Sequence, residues 1–449
     1  MVKVLIPSGA LGLGYDRAAL ARGIAQKPDI IAIDGGSTDS GPHYLGTGTS
    51  KYSRNSTKAE WRELMAARAE AGVPLVIGTA GTCGADDAVD WLVEITREIA
   101  AETGESLRLA VLKSGQDNQT MVAALRAGRI TPLPAAPEIS DTLLLECTNI
   151  VALAGAEQIQ EALNTGADII IAGRTTDTAI ISALPLARGC HAGGCWHGAK
   201  IGECGALATT SPNSGTIMIA FDAEGFTMTP MGAEARATPR TVSAHMLYEN
   251  SDPHILYEPG GHLDVRGATY TALNDREVRV TGSEWIVSDR YTVKLEGARR
   301  VGFQTVSLVL VRDAHYVKNI RTWCDDIVAK CTAKAKARVD GAFAIELRLI
   351  GADATLGPLD TAHVVGTEIG VMGIVTAETE ALSREVAKML NPYPLHHPLT
   401  EQEEMPTFAF PFSPPEMPRG AIHEFCLNHL LEIDSPMDAF RLTVEDIAP

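Results

Sequence analysis

The sequence predicts an α/β protein in three parts. They are an N-terminal doubly wound, mainly parallel sheet, a small β-rich segment, and a ferredoxin-like βαββαβ domain. Two observations carry the first part. Five apolar, β-branched runs lack any polar alternation, so each reads as a strand buried on both faces. Each run stops at a loop rich in Gly, Ser, Thr and Asp, and an Ala-rich helix-like stretch follows. A third observation, the order of strand-like and helix-like runs after Val301, predicts the last part.

In chain order, Val2–Ile6 runs into PSGALGLGYDR, Ile30–Ile33 into DGGSTDSG, and Leu75–Ile77 into GTAGTCGADD. Leu109–Leu112 runs into KSGQDNQT, and Ile169–Ile171 into AGRTTDT. Helices are predicted over 17–25, 58–71, 86–102, 119–127 and 155–164. Gly72, Gly104 and Gly166 stand just past three of them, where a C′ residue takes positive φ. The first part is therefore assigned to residues 1–225. Residues 226–300 carry short alternating runs such as EVRVTGSEWIV, broken by Asn, Gly and Asp, as in antiparallel structure. In residues 301–449, strands are expected at VGFQTVSLVLV, FAIELRLIG, TEIGVMGIVTA and TFAFPFS, with helices over 317–337 and 378–390. YTVKLEG and GADATLGP read as loops, GPHYLGTGTSKYSRN as irregular, and the tail FCLNHLLEI as packing on another element or subunit.

Composition narrows the function. The 449 residues carry a formal net charge of -18, which argues against nucleic acid and against an anionic membrane surface. No apolar run approaches the ~20 residues of a membrane span. The start MVKVLIPSGA lacks signal-peptide features, and the eight cysteines follow no secreted spacing. Reduced thiols in a cytoplasm are expected.

Loops after parallel strands open at one edge of the sheet, where ligands bind. The Ser8–Gly14 loop precedes a helix, and its amides suit a phosphate or carboxylate. Its spacing is GxxGxG, which weakens a dinucleotide reading, and no GxxxxGK[ST] loop occurs. Candidate substrate-binding residues are Ser8, Gly9, Gly12, Gly14, Ser37, Asp39, Thr82, Arg174, Thr176 and Asp177. Cys83 reads as a small buried thiol. Arg174 is placed to fork onto a carboxylate, either that of Asp177 or a substrate's. Candidate catalytic residues are Lys113, His197, Lys200 and Glu203, the last three from the dense run CHAGGCWHGAKIGEC (190–204). That run has no CxxC pair, yet its thiols and imidazoles are compatible with a divalent metal. His191 and His197 as structural histidines are the alternative. The sequence requires no cofactor.

The phrases VLIPSGALGLG, DGGSTDSGP, IAGRTTDTA, WHGAKIGECGAL, VKLEGA, HHPL and FAFPFSP resemble the acyclic terpene utilisation protein A family. The resemblance implies breakdown of branched terpenoid acids and other small carboxylic acids, often beside a small companion protein. It carries over no catalytic residue.

Together these readings lead us to expect a lyase that performs hydration/dehydration or retro-aldol cleavage on a small hydroxy-carboxylate or its CoA thioester. Arg174 and the first loop would hold the carboxylate, Lys113 or Lys200 would stabilise an enolate, and His197 or Glu203 would move the proton. The alternatives are a metal-dependent enzyme using Cys190–Cys204, and a non-catalytic subunit acting with a small companion protein. A homo-oligomer is expected.

Overall fold

The computed structural model describes residues 1–362 and 364–448. It is a mixed α/β protein whose chain divides into two units, Met1–Arg299 with Phe425–Pro449, and Arg300–Glu424.

At the centre of the first unit, Val2–Ile6, Ile30–Asp34, Leu75–Gly78, Ile169–Ala172 and Leu107–Lys113 pair in parallel, in that spatial order. Leu107–Lys113 thus sits beyond Ile169–Ala172. Arg441–Ile447 continues the sheet antiparallel beyond Leu107–Lys113. On the other side, Ile217–Phe221, Gly225–Pro230, Val278–Thr281 and Thr269–Ala272 follow, all antiparallel. The ten-stranded sheet is therefore evenly mixed rather than mainly parallel. The β-rich stretch supplies three of these strands. It also forms a separate three-stranded sheet from Ile255–Glu258, Gly261–Asp264 and Glu284–Val287.

Strand side chains alternate between faces, and here both faces are apolar. Val4, Ile30, Val76 and Ile170 belong to one core with Trp196, Phe221 and Phe226. Leu5, Ile31, Ile77 and Leu109 belong to another with Trp61, Leu64 and Leu92. Burial of each such side chain contributes roughly 1.5–3 kcal/mol, which is why polar residues are confined to the strand ends. The five expected helices appear as Arg17–Ala25, Arg54–Ala71, Asp86–Thr103, Asn118–Arg126 and Ala156–Asn164.

The helix expected after the Ile169–Ile171 loop is Ala179–Ala187, and Ala192–Gly202 is among those that escaped the sequence reading. The second is glycine-rich because it lies close against the sheet. A Cβ on Gly194 would meet the Gly225 backbone at 2.6 Å, and one on Gly198 would meet the Phe221 ring at 2.5 Å. A short helix, Pro42–Thr47, also replaces part of the expected irregular segment.

In the second unit, the Phe303–Val311 part of the strand Thr292–Val311 pairs antiparallel with Ile369–Ala377, which pairs with Phe343–Ile350. Helices Ile320–Lys336 and Glu380–Leu390 share its core. The expected helix from 317 is interrupted at Asn319, which separates it from Ala314–Lys318.

TFAFPFS is not a strand; it makes one isolated bridge, Ala409 with Leu310. Pro411, Pro414 and Pro415 lack the N–H groups a ladder needs. Phe408 packs edge-on against Tyr316 and Trp323 instead. The last long strand is Met417–Glu432, and within the first unit its His429–Leu431 pairs with Ile130–Pro132. YTVKLEG is likewise strand, and Leu295–Arg299 pairs with Cys147–Ala152. No helix among the described residues is long and apolar enough to cross a membrane.

Candidate functional site

The loops at the carboxyl ends of the parallel strands interlock. Leu11 N–H donates to the Asp34 carbonyl (2.8 Å), Gly35 N–H to that of Gly78 (2.7 Å), and Thr79 N–H to that of Gly173 (2.8 Å). Ser114 Oγ accepts from Arg174 N–H at 2.7 Å. Gly84 has φ +64°, and a Cβ there would strike the Arg174 backbone nitrogen. Thr79 (φ 47°) and Thr82 (φ 80°) are β-branched residues held at positive φ. Such strain persists only where the surroundings over-determine it, and it is common at functional sites.

Arg174 is sequestered. Its Nε donates to Glu296 Oε2 at 2.9 Å and its Nη2 to Oε1 at 3.3 Å. The remaining N–H groups reach Thr79 Oγ1, the Thr175 carbonyl and Thr38 Oγ1. All five guanidinium donors therefore have acceptors within the chain. Asp177 lies farther off, at 4.0 Å. The carboxylate that Arg174 forks onto is Glu296, 122 residues along the chain. Although burial alone would raise it, Arg174 and then Lys294 hold the Glu296 carboxyl down at about 2.

The first loop is similarly self-satisfied. Gly12 N–H donates to Glu60 Oε2 at 2.8 Å and Leu13 N–H to the Ala10 carbonyl at 3.2 Å, while Asp16 caps the following helix. The carboxylate in this loop is the chain's own. Gly9 abuts the Cys204 backbone, where a Cβ would sit 3.2 Å away. Ser8 Oγ donates to the Ala10 carbonyl, and Gly14 is open. Ser37 and Asp39 bond each other at 2.8 Å, and Thr82 Oγ1 accepts from Lys51 N–H at 3.2 Å.

Lys113 makes a partly exposed ion pair with Asp90 at 2.7 Å. His197 is fully buried, with Nδ1 2.7 Å from Ser283 Oγ and Nε2 3.1 Å from Tyr270 Oη. Burial pushes its imidazole down to about 3, so it is a neutral core residue near neutral pH. His191 caps its helix, accepting from Gly194 N–H at 3.0 Å. Cys83 is fully buried, and burial pushes its thiol up.

Lys200 and Glu203 meet in the interior. Nζ donates to Glu203 Oε1 at 2.5 Å and to the Tyr248 carbonyl at 2.8 Å. Each residue is less than a tenth exposed. Beside them, Glu203, Cys204 and His245 each offer one ligand atom, and these atoms lie within 4.8 Å of one another. His245 is 6% exposed, stacks on Tyr248, and its Nε2 has no hydrogen-bond partner. Burial, with Lys200 adding to it, pushes His245 down to about 4, leaving the neutral form a metal requires. Burial raises the Cys204 thiol, which only a bound cation would deprotonate near neutral pH.

A second carboxyl, Glu258, accepts from Thr178 Oγ1 at 2.5 Å, while its Oε2 is buried without a partner. Burial pushes it up to about 7 despite Thr178 and Thr176. Asp34 and Asp177 are also raised, by burial before all else. Asp34 Oδ1 has no partner either. The Asp177 side chain remains 30% exposed.

His245, Glu258 and Glu296 were absent from the sequence-derived candidates. Glu296 stands in the phrase VKLEGA, a signal that was available. His245 and Glu258 lie in unremarkable contexts, and only tertiary folding brings them to the run at 190–204.

A mixed α/β sheet together with a buried titratable cluster of metal-type ligands gives the protein catalytic potential. The chain belongs to the acyclic terpene utilisation family: the model described as "Acyclic terpene utilisation family protein AtuA" matches residues 47–188 and 212–409. No curated protein and no solved structure matches it.

Proposed function

We propose that this protein is a metal-dependent enzyme of small-carboxylate catabolism, with Glu203, Cys204 and His245 holding the ion. One observation carries this reading: a carboxylate, a thiol and an imidazole with an unpartnered nitrogen gather their ligand atoms within 4.8 Å. Three protein ligands with a position left open is the pattern of catalytic rather than structural sites. Mixed O, S and N donors suit zinc or another late divalent first-row ion better than magnesium. Such an ion supplies Lewis-acid polarisation of a substrate oxygen.

The remaining roles fall to the chain. Lys200 orients Glu203 and stabilises negative charge developing beside it. Glu258, tuned to about 7 by burial, gives or takes a proton near neutral pH. Arg174 positions the loops through Glu296 and does not touch substrate. The reaction we assign is that of a lyase on a small hydroxy acid or its thioester, by hydration/dehydration or retro-aldol cleavage. The family's catabolic context supports the substrate class. We also read the second unit as ferredoxin-like, on its strand–helix–strand–strand–helix order.

The test is an assay of zinc-, cobalt- and manganese-loaded protein against a panel of hydroxy acids and their CoA thioesters. Turnover that chelator abolishes, and that Glu258→Gln reduces without loss of metal, is the expected result. Turnover indifferent to chelator overturns the metal reading.

A further inference from the structure

The second unit leaves one edge of its sheet without a neighbour. Phe343–Ile350 is the terminal strand of that sheet and pairs, among the described residues, only with Ile369–Ala377. In the same register, the Ala342 carbonyl accepts from Glu378 N–H at 3.2 Å. Backbone groups alternate in direction along an antiparallel strand, so the even-numbered residues spend theirs on Ile369–Ala377. Those of Phe343, Ile345, Leu347 and Leu349 face outward. Of these, the Leu349 carbonyl is already taken, by Ala352 N–H at 3.0 Å and by Ala354 N–H at 3.2 Å. A groove of about 700 Å³ borders the strand, and Glu346, Leu347, Arg348, Leu356 and Pro358 are among its lining residues.

Edge strands are ordinarily blunted by proline, lysine, a bulge or short length. This one has eight residues, FAIELRLI, with neither proline nor lysine and with an unbroken register. Ala344, Glu346, Arg348 and Ile350 are exposed. The Glu346 and Arg348 side chains, 55% and 49% exposed, bond each other at 2.7 Å. They stand symmetrically about Leu347. An antiparallel copy centred there sets Glu346 of each chain opposite Arg348 of the other, and Ala344 opposite Ile350. Centring it one residue to either side sets Glu346 against itself or Arg348 against itself. The unlike pairs fall at positions without mutual backbone bonds, where facing side chains lie closest.

We propose that Phe343–Ile350 pairs antiparallel with the same strand of a second copy of this chain, about a two-fold axis at Leu347. Leu347 exchanges both backbone bonds with its counterpart across the axis. Leu349 N–H donates to the Ile345 carbonyl on each side, so the occupied Leu349 carbonyl is not needed. Such a contact is isologous and closes on itself as a dimer. It gives the expected homo-oligomer an interface and is independent of the metal reading.

Sedimentation velocity of the full chain, over about 1–100 μM to cover a small interface, tests this. Wild type is expected to sediment at twice the chain mass of 47.7 kDa. Glu346→Arg and Arg348→Glu should each weaken association by about tenfold or more, because like charges then face each other. An equimolar mixture of the two variants should associate again, since every cross-chain pair is then unlike. The double variant Glu346→Arg/Arg348→Glu should do the same. A wild-type monomer at the highest concentration overturns the proposal. So do single variants that associate as tightly as wild type, single variants that stay apart when mixed, or a double variant that stays monomeric.

Discussion

Arg174 and Glu296 form a buried, two-pronged ion pair across 122 residues of chain, at 2.9 and 3.3 Å. The pair ties the loop after Ile169–Ala172 to the strand Thr292–Val311, and Thr38 from a third loop joins it. Removing one partner leaves the other charged and desolvated. Arg174→Met is therefore expected to destabilise the protein by about 3–5 kcal/mol. The double variant Arg174→Met/Glu296→Leu should lose less than the sum of the two single changes. Urea denaturation of the four proteins checks this, and additive losses would refute the coupling.

Lys113 supplies the contrast. Its salt bridge with Asp90 is partly exposed, so Lys113→Ala should change stability by less than about 1 kcal/mol. It should leave turnover intact, because the partner of Lys113 is Asp90 and no residue of the Lys200–Glu203 cluster. A large loss of turnover would return Lys113 to the catalytic candidates.

His197 predicts an acid-side instability. Its folded pKa is depressed to about 3 by burial, so between there and its unfolded value near 6.5 the unfolded chain binds the extra proton. Stability must fall as pH drops through that window, by roughly 2 kcal/mol between pH 7 and pH 5 from this residue alone. His197→Gln, which keeps a donor and an acceptor but cannot titrate, should flatten that slope. An unchanged slope in the variant would show that other groups carry it.

Gly84 offers a purely steric test. At φ +64°, with the Arg174 backbone where a Cβ would go, Gly84→Ala is expected to cost more than about 2 kcal/mol. The same change at Gly104, also at positive φ but with open space around it, should cost only about 1 kcal/mol. Equal losses would mean that the loops at the sheet edge are looser than drawn.

Much of this architecture was legible before folding. The five apolar runs became the parallel strands because nothing but burial on both faces explains a stretch such as Ile169–Ile171. The loops that follow them do converge. What failed was whatever depends on partners distant in sequence. Arg174 announced a carboxylate, but Glu296 lay in a stretch read as a loop. Lys200 and Glu203 were found because they fall in one short run dense in titratable groups, and they meet at i,i+3 spacing. His245, 41 positions beyond Cys204, carried no local sign of its role. Glycines at 193, 194, 198 and 202 hid a helix, because helix propensity penalises them while close packing on the sheet demands them. Apolar alternation in TFAFPFS imitated a strand that Pro411, and Pro414 and Pro415 just after it, disfavour.

The account stands or falls on metal stoichiometry. Purified protein, loaded with zinc, passed through a desalting column and measured by plasma mass spectrometry, should retain about one ion per chain. Cys204→Ser and His245→Ala should each release it while keeping the wild-type circular dichroism. A wild-type chain that retains no ion, or variants that hold it as tightly as wild type, would contradict the central claim.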